Sequence, residues 1–466
     1  METLRHCFPP NLRQYLNELP EGLDETYERI LRGINKAQKG DAHRLLQCLA
    51  VAARPLRVEE LAELLAFDFQ ATSERGIPTL KEDWRENDQE ITLLSTCSGL
   101  IAIVRDGDSR VVRFSHFTVK EYITSTRLAQ SHGDVSRFHI DLNAAHTILA
   151  QACLGTLLRL DEHTGNSGSK GFPLAEYAAR HWVEHARFEG VSSRVRDGMD
   201  DLFDSSKPHF AAWLQVHDID ERWRSFSTPE RDSVGSPLYY AALCGFYDLA
   251  ERLIMKDPEQ VNAGGGLILA PLPAALSKRH FTVANLLYKH GAVVDVRDEF
   301  KWTPLHPASQ LGHGDIVRWL LNHGADINAQ AISGLTPLHR ALYSTQLGVV
   351  QVLLEHNPDI NSRDTNGDTP LHFALSHIDY SGGVGVEITR RLLEHGADPN
   401  IRYRDSTPLH QASSKGWLEV ARLLLSHGAK VDDKDGDGLT PFQVASSEAY
   451  HEMTKLLLEY SAVPPL

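Results

Sequence analysis

Residues 407–428 read Thr-Pro-Leu-His-Gln-Ala-Ser-Ser-Lys-Gly-Trp-Leu-Glu-Val-Ala-Arg-Leu-Leu-Leu-Ser-His-Gly and are one copy of a repeated pattern. The first four residues recur along the C-terminal half of the 466-residue chain. Complete copies begin at Thr303, Thr336, Thr369 and Thr407, and degenerate copies begin at Ser236, Ala270 and Thr440. Successive copies are 34, 33, 33, 33, 38 and 33 residues apart. A period of this length indicates a repeat architecture, in which each repeat packs only on its neighbours.

Each repeat is predicted to fold as two short helices. The leading Thr is an N-cap residue, and the Pro after it occupies the first helical turn, where its missing N–H costs nothing. The second helix has apolar residues at helical spacing, as in residues 316–321. It ends at a residue suited to the left-handed conformation, namely Gly291, Gly324, Asn357, Gly396 or Gly428. Because no repeat can bury its apolar face alone, the repeats must stack into a solenoid.

The pattern resembles the ankyrin repeat, whose TPLHxA motif heads these units. Pro307 lies one turn inside a first helix, so it is expected to remove a hydrogen bond or shift the helix start. Residues 380–385 form a glycine-rich insertion, which is predicted to be a loop extension; a contact specific to one partner is the alternative. The last repeat carries Glu448, Glu452 and Glu459 and lacks the closing Gly, which is typical of a polar cap.

The N-terminal half is predicted to contain helices and one β-hairpin. Apolar residues at helical spacing predict helices over 11–35 (with a break at 20–22), 42–53, 58–67 and 91–98. Residues 100–104 and 110–114 flank an Asp-Gly-Asp-Ser turn and are predicted to be strands. Three helices followed by a hairpin is the element order of a winged helix.

Three motifs in this half are Leu19-Pro-Glu-Gly-Leu-Asp-Glu-Thr-Tyr-Glu-Arg-Ile30, Arg54-Pro-Leu-Arg-Val-Glu-Glu-Leu61 and Phe114-Ser-His-Phe-Thr-Val-Lys-Glu-Tyr-Ile123. They resemble fungal STAND-type proteins that combine a NACHT-type nucleotide-binding domain, a winged helix and ankyrin repeats. The winged helix of that family is similar to one of a GPI inositol-deacylase, and residues 140–220 fit the helical spacer of the family. The nucleotide-binding domain of the family would precede residue 1, so the resemblance implies a chain that lacks this domain.

The predicted fold class is therefore mainly α. An ankyrin-repeat solenoid of about seven repeats is preceded by a winged helix and an α-helical spacer. The expected domains are a helical remnant leading from the missing NACHT domain at 1–40, the winged helix at 41–130, the spacer at 131–230 and the solenoid at 231–466.

Composition favours an intracellular, cytoplasmic protein that binds neither nucleic acid nor a membrane. The chain holds 47 Lys and Arg against 62 Asp and Glu, a net charge of −15, whereas polyanion binding needs clustered cations. The start of the chain does not look like a signal peptide, and no apolar run is long enough to cross a bilayer. The cysteines have no CxxC spacing and are expected to be buried apolar residues of a reducing compartment; they are Cys7, Cys48, Cys97, Cys153 and Cys244.

The motifs predict no catalytic residue, no cofactor and no metal. The P-loop pattern GxxxxGK[ST], the nucleophile elbow GxSxG and the second His of HExxH are all missing from the sequence. Residues 433–438 imitate half of a calcium loop, but Val444 stands where a bidentate Glu is required. The repeat itself accounts for nine histidines as local hydrogen-bonding residues: His306, His339, His372 and His410 of the motif, and His290, His323, His356, His395 and His427 at the ends of second helices.

Winged helices can bind DNA, but this one is predicted not to. Its third helix, at 91–98, contains no Lys or Arg, and its wing tip at 106–108 is acidic. Arg105, Arg110 and Arg113 flank the wing and are expected on alternating sides of the strands. Phosphate contacts need clustered positive charge, which this arrangement does not supply.

The repeats favour a non-enzymatic protein-interaction scaffold or sensor. Its binding residues are expected on the concave face, at the turn tips and on the first helices, where residues vary between repeats. Trp302 and Tyr403 are the best candidates, because aromatic and Arg side chains anchor interfaces. The full set of candidates is Phe300, Trp302, Gln310, Leu311, Tyr343, Ser344, His377, Arg402, Tyr403, Arg404 and Lys415. The expected partners are proteins, with no small-molecule substrate.

Two other functions stay open from the sequence. The chain could be a fragment of a STAND-type nucleoside triphosphatase switch whose P-loop domain lies upstream of residue 1. Alternatively, it could be an ankyrin adaptor that presents a substrate to another enzyme. No residue of the sequence identifies the partner.

Overall fold

The computed structural model describes residues 21–72, 77–81, 95–97, 99–131, 133–160, 171–220, 235–266, 268–376 and 383–461. The chain divides into two compact bodies. The N-terminal body comprises Met1–Asp232 and Cys244–Lys256, and the C-terminal body comprises Ser233–Leu243 and Asp257–Leu466.

The N-terminal body begins with helices and short strands in the order of a winged helix. The helices are α1 (Glu21–Gly33), α2 (Lys39–Val51) and α3 (Val58–Ala66), and the strands are β1 (Leu56–Arg57), β2 (Phe67–Thr72), β3 (Pro78–Leu80), β4 (Ile101–Asp106) and β5 (Ser109–Phe114). The apolar stripe that predicts each helix is its buried side, with Leu31, Leu45 and Leu61 removed from solvent. Of the predicted third helix, residues 95–97 are described and helical. The remainder of that helix, and residues 11–20 of the first predicted helix, lie outside the described residues.

The wing is an antiparallel sheet of three strands in the order β1-β5-β4. The predicted hairpin is confirmed, and Gly107 takes a φ of 60° at its turn. Arg105 pairs with Arg110 across the two strands, so both side chains lie on one face of the sheet. The expectation that the wing arginines alternate in side is wrong for this pair. Neither β1 nor the β2–β3 pair was predicted: β1 and β3 have two and three residues, which leave too little periodicity in a sequence, and β2 has six residues but only β3 as its partner.

The spacer is helical, as predicted, and large aromatic side chains fill it. The helices α4 (Phe117–Ile123) and α5 (Thr126–Ala129) follow the hairpin inside the predicted winged-helix range, and the helices of the spacer are α6 (Leu142–Leu157), α7 (Ala175–Ala186), α8 (Val191–Arg194), α9 (Arg196–Leu202) and α10 (His209–Val216). The Trp182 and Trp213 rings are fully buried and meet edge to face with centroids 5.4 Å apart. Trp213 Nε1 donates to the Ala179 carbonyl oxygen at 3.1 Å, so its polar atom is satisfied within this core.

The Arg54–Leu61 motif folds around a buried carboxylate. The Glu60 side chain is fully buried and accepts hydrogen bonds from Arg54 at 2.7 and 2.8 Å and from Arg57 Nε at 2.9 Å. It also accepts the Arg57 backbone N–H at 2.8 Å, which caps α3. Burial by itself raises the pKa of Glu60, but the two guanidinium groups and the backbone N–H more than offset it and hold this pKa below its usual value.

Polar contacts join the winged-helix segment to the spacer within the N-terminal body. The Leu174 N–H donates to the buried carboxylate of Glu63 at 2.8 Å, and the Ala53 N–H donates to the Tyr177 hydroxyl at 3.1 Å. These contacts run between residues more than 100 positions apart in the chain. The boundary near residue 130 between winged helix and spacer stays a prediction.

Pairs of short helices recur seven times among the described residues, one pair for each predicted repeat. The first and second helices are α11 (Pro237–Cys244) and α12 (Tyr247–Lys256), α13 (Pro271–Ser277) and α14 (Phe281–Lys289), α15 (Leu305–Gln310) and α16 (Gly314–Asn322), α17 (Pro337–Tyr343) and α18 (Leu347–Leu354), α19 (Pro370–Ser376) and α20 (Gly383–Glu394), α21 (Pro408–Lys415) and α22 (Leu418–Ser426), and α23 (Pro441–Ser447) and α24 (His451–Ser461). We number the pairs repeats 1 to 7. The α12 helix falls within the N-terminal body.

The predicted caps begin and end these helices. The hydroxyls of Thr336, Thr407 and Thr440 accept backbone N–H groups in the first turn of their helices. In repeat 3 the helix begins at Leu305, one position later than in repeat 4, as expected from Pro307. Each predicted helix-ending residue has a positive φ, from 52° to 91°; they are Gly291, Gly324, Asn357, Gly396 and Gly428.

The structure describes part of the glycine-rich insertion and most of the last repeat, two of the places where the sequence departs from the repeat pattern. The α20 helix begins at Gly383, so residues 383–385 of the glycine-rich insertion are helical, and its other residues lie outside the described ones. In repeat 7, Glu448, Glu452 and Glu459 are exposed, which fits the predicted polar cap.

The cysteines that the structure describes are buried free thiols, as predicted. They are Cys48, Cys97, Cys153 and Cys244, and Cys7 lies outside the described residues. Burial raises the pKa of Cys48 and Cys97 to about 12, so these thiols stay protonated and unreactive near neutral pH.

Candidate protein-binding surface

A hydrogen-bond network fixes the first helices and the turns of the C-terminal body. In repeat 3 the Thr303 N–H donates to Nδ1 of His306 at 3.1 Å, and His306 Nε2 lies 3.1 Å from the Leu335 carbonyl oxygen of the next repeat. His410 makes the same bond to Leu439 at 3.0 Å. Since Nδ1 accepts, Nε2 carries the hydrogen and donates. Burial lowers the pKa of His306, which keeps the ring neutral.

The histidines that close the second helices also bond locally. Nδ1 lies 2.7 to 2.9 Å from the carbonyl oxygen four residues earlier in His323, His356, His395 and His427. This is the local hydrogen-bonding role that the repeat pattern predicts.

The turns between repeats are held by side-chain caps and by bonds to one another. Asp298 accepts the N–H groups of Phe300 and Trp302 at 2.9 and 2.7 Å, so its carboxylate shapes the turn before repeat 3. The next turn is linked to this one, because the Ile332 N–H donates to the Phe300 carbonyl oxygen at 2.9 Å. The turn tips therefore form a row whose exposed side chains have defined positions.

Trp302, Arg340, Tyr343 and Gln310 meet on the face formed by the first helices, and we call them the Trp302–Arg340 cluster. Arg340 Cζ lies 4.3 Å from the Trp302 ring centroid and 5.6 Å from the Tyr343 centroid, distances at which a cation is attracted to an aromatic face. The guanidinium also donates to the Gln310 side chain. Burial lowers the pKa of Arg340, because its charge is partly removed from water. Residues of two successive repeats thus share one cluster.

A cleft of about 300 Å³, which we call the Tyr403 cleft, is lined by residues of repeats 5, 6 and 7. Its lining is polar and aromatic: His372, Tyr403, Arg404, Ser406, Thr407, His410, Gln411, Ser414, Asp435 and Val444. The Tyr403 ring lies 5.8 Å from the His372 ring, and Arg404 Cζ lies 5.1 Å from the Tyr403 centroid. The cleft can therefore offer a guanidinium, hydroxyl groups and an aromatic face to one ligand.

The other candidates that the structure describes are exposed or half-buried. Phe300, Leu311 and Tyr343 are large apolar or aromatic side chains with 46 to 52% of their surface exposed. Arg402 forms an exposed ion pair with Asp433 at 3.7 Å. Ser344 is half-buried after α17, Lys415 is exposed at the end of α21, and His377 lies outside the described residues. That these residues bind a partner stays a prediction.

Sequence reasoning missed Arg340 and Gln411. On the first helices it considered only the residues between the core Ala and the end of the helix, whereas both of these residues directly follow the TPLH motif. Positions three and four apart share one face of a helix, so Arg340 lies beside Tyr343 and Ser344 on α17. That spacing was the available signal.

Other chemistry has little support in the part of the chain that the structure describes. The residues it covers contain no group of three His, Cys, Asp or Glu side chains arranged to hold a metal ion. No described helix is both long and apolar enough to span a membrane. On the wing, Arg113 pairs with Asp106 at 3.2 Å, so this cation is already matched by a carboxylate.

Two family models match the chain, one in each half. Residues 27–136 match the GPI inositol-deacylase winged helix domain. Residues 238–331, 329–403 and 381–465 match ankyrin repeats (3 copies). The chain carries an ankyrin-repeat solenoid. The predicted fold class is confirmed, and ankyrin repeats form a protein-interaction domain.

Individual relatives match the chain over different fractions of its length. The azaphilone pigments biosynthesis cluster protein L of Monascus ruber is 35% identical over 302 residues, which cover 60% of this chain and 61% of that protein. The ARF GTPase-activating protein Git of Drosophila melanogaster is 38% identical over 76 residues, 16% of this chain and 10% of that one. The chain thus spans less than two thirds of the length of these relatives. The ankyrin repeat domain of Bcl-3 is 28% identical, covers 48% of this chain and 100% of its own, and has a TM-score of 0.43.

Proposed function

We propose that the chain is a non-enzymatic scaffold or sensor that binds a protein partner through the first helices and turn tips of its ankyrin repeats. The Trp302–Arg340 cluster is the observation that carries this proposal. It presents aromatic and Arg side chains, the usual anchors of an interface, on a framework held by the motif histidines. Anchors that are already positioned lose little entropy on binding, which favours affinity. In this proposal the protein acts inside the cell, in the cytoplasm.

A second candidate function is that of an adaptor for an enzyme. The relative from Monascus ruber supports it, because the printed name of that protein assigns it to a pigment biosynthesis cluster. Such an adaptor would use the same face and differ only in the partner, which would be an enzyme or its substrate. Identification of the bound protein decides between the two.

A third candidate is a fragment of a STAND-type switch. Its support is the combination of a GPI inositol-deacylase-type winged helix with ankyrin repeats in one chain. In this case the coding sequence upstream of Met1 would encode GxxxxGK[ST]. The chain as given is expected not to bind ATP, because it contains no P-loop.

Affinity capture with the full chain tests the leading proposal. The wild-type chain and a Trp302→Ala/Tyr403→Ala variant are immobilised, and proteins retained from an extract of the source organism are quantified by mass spectrometry. We expect the variant to retain at least about tenfold less of the specific partner than the wild type, since aromatic anchors buried in an interface contribute about 2 kcal/mol or more each.

The matched control is Tyr460→Ala, which removes an exposed aromatic ring from α24, away from the first helices and turns. This variant is expected to retain the partner as the wild type does. Equal retention by the double variant would show that the surface is assigned to the wrong residues.

A further inference from the structure

Carboxylates are distributed unevenly between the first and the second helices of the repeats. Residues 236–466 hold 19 Lys and Arg against 26 Asp and Glu, a net charge of −7. The first helices, α11, α13, α15, α17, α19, α21 and α23, nevertheless contain no Asp or Glu. Their charged residues are the cations Arg340 and Lys415. The second helices hold eight Lys and Arg side chains and, unlike the first helices, eight carboxylates: Asp248, Glu251, Asp315, Glu387, Glu394, Glu419, Glu452 and Glu459.

Arg340 is a partly buried cation without a nearby opposite charge in the described part of the molecule. Its recorded contacts are the Trp302 and Tyr343 rings and the Gln310 side chain, and none of these is a carboxylate. Its Nε atom is buried and has no hydrogen-bond partner among the described residues. A guanidinium has five N–H donors in a planar fork that matches a carboxylate, so most of its donor capacity is unused.

Exposed apolar side chains lie on the same two repeats as this cation. Leu311, at the end of α15, is 46% exposed, and the neighbouring turn tips carry Phe300 and Ile332 with 49 and 59% of their surface exposed. The backbone bond between Phe300 and Ile332 holds the two tips side by side. The Phe300 tip also carries one exposed charge of each sign, Glu299 and Lys301, so the surface combines the Arg340 cation of the first helices with apolar contact area on the turn tips.

We propose that this face binds an acidic segment of a partner protein, with one Glu or Asp carboxylate paired to Arg340 between Trp302 and Tyr343. Apolar side chains next to that carboxylate pack on Leu311 and on the Phe300 and Ile332 turn tips. The inference rests on the proposed function and specifies the chemistry of its partner. The charge pattern favours an acidic segment, because carboxylates of the partner meet none on the first helices.

Nucleic acid fits the same surface poorly. Binding of a phosphate backbone needs several clustered cations, whereas the first helices supply Arg340 on α17 and Lys415 on α21, with the uncharged α19 between them. One guanidinium flanked by aromatic rings instead suits a single carboxylate.

Selection of peptides on the full chain tests this inference. A phage-displayed library of random dodecapeptides is selected on the immobilised wild-type protein, and the most enriched peptide is measured by fluorescence anisotropy. We expect enrichment of Asp and Glu, and an affinity at least about tenfold lower for Arg340→Met, which keeps the stem of the side chain but removes its charge. A Glu→Gln or Asp→Asn change in the peptide should lower the affinity by the same factor as Arg340→Met. The peptide change and Arg340→Met combined should lower it little further, because each removes the same ion pair.

Arg318→Met is the matched control, since Arg318 is an exposed cation on α16, a second helix. It is expected to leave the affinity unchanged. Thermal melting checks that each variant is folded; if Arg340→Met is not folded, Arg340→Lys, which keeps the charge but loses the fork, is expected to weaken binding to an intermediate degree.

Several results would overturn the inference: selection of no peptide, selection of peptides without acidic residues, an affinity that Arg340→Met leaves unchanged, or retention of a DNA oligonucleotide in place of acidic peptides. Its failure can be separated from failure of the proposed function. A partner captured through Trp302 and Tyr403 that binds without an acidic segment would leave the proposed function intact. If no partner were captured through Trp302 and Tyr403 and no acidic peptide were bound, both the proposed function and this inference would be contradicted.

Discussion

At the scale of single residues, Asp368 shows how position in the repeat changes chemistry. It lies in the turn before repeat 5 and directly precedes Thr369, as Trp302 precedes Thr303 in repeat 3. Burial, and then the charge of Asp364, raise the pKa of Asp368 to about 6, although the charge of Arg404 lowers it in part. The same position thus carries a Trp in one repeat and a carboxyl with a pKa of about 6 in another.

Asp368→Asn is expected to stabilise the protein at pH 7 and to have no such effect below pH 4. A carboxyl whose pKa is raised by folding binds its proton more tightly in the folded state, so its contribution to stability is present at low pH and is lost as the pH rises to about 6. Because the group is partly exposed, we expect a gain of no more than about 1 kcal/mol. Urea unfolding at several pH values measures it.

The comparison with wild type isolates this carboxyl from other titrating groups. Burial lowers the pKa of His339 and His372 to about 4, which makes stability fall as the pH decreases below about 6.5. Both proteins contain these histidines, so their effect cancels in the difference. Asp437→Asn, at an exposed turn position in repeat 7, serves as control. A gain from Asp368→Asn that did not change with pH would contradict the assigned cause.

At the scale of elements, a ladder of side-chain hydrogen bonds joins the segments that follow the second helices of successive repeats. One Asn or Asp in each of five loops accepts a backbone N–H from the loop after it, at 2.7 to 2.9 Å; these residues are Asn262, Asp295, Asn328, Asn361 and Asn400. Asn361 also donates to the Gly396 carbonyl oxygen at 3.3 Å. The loops are therefore coupled by side chains as well as by helix packing.

Asn361→Ala is expected to lower the free energy of unfolding by about 1 to 2 kcal/mol, because a backbone N–H and a carbonyl lose their partner. Asn361→Asp keeps the acceptor, as Asp295 does naturally, and is expected to cost less. The control is Asn366→Ala, which removes an exposed Asn that bonds only within its own turn. Chemical denaturation compares the three. If Asn361→Ala were no worse than the control, the ladder would have no part in stability.

At the scale of the whole solenoid, stability depends on how many neighbours a repeat has. Repeat 4 packs against repeats 3 and 5, whereas the described part of repeat 7 packs only against repeat 6. In such arrays the total stability is a sum of repeat and interface contributions. A repeat at one end therefore opens at a lower cost than a repeat in the middle.

Hydrogen exchange followed by mass spectrometry is expected to resolve this gradient. Amides of α17 and α18 should exchange most slowly, and those of α23 and α24 should exchange faster by at least about tenfold, because repeat 7 lacks one stabilising interface. The exposed glutamates of repeat 7 add no second interface among the described residues. Equal protection across the solenoid would mean that it unfolds as one cooperative unit.

The repeat architecture was predictable because its information is local. Thr caps, Pro at the first helical turn and a left-handed Gly after the second helix act within a few residues, and the 33-residue period repeats them. Very short elements were not predictable: β1 exists only because Leu56 and Arg57 pair with β5, a partner more than 50 residues away. The β-propensity of the local residues does not predict pairing with such a distant strand.

The candidate site was predictable only in part. Trp302, Tyr343 and Gln310 could be named from the sequence, because variable positions of a repeat lie on its exposed face. Arg340, which joins them, could not be recognised as their partner from spacing alone, since Trp302 belongs to a different repeat and 38 residues separate the two.

The sequence by itself determined the fold class, the number of repeats and the ends of their helices, since each follows from local capping and apolar periodicity. Tertiary structure alone decided that Glu60 is buried against two arginines and that Arg340 lies close to the Trp302 and Tyr343 rings. It also decided which loops share a ladder of asparagines. The physical reason is that these features are distances between side chains on different elements, and stacking of the repeats sets such distances where local sequence cannot.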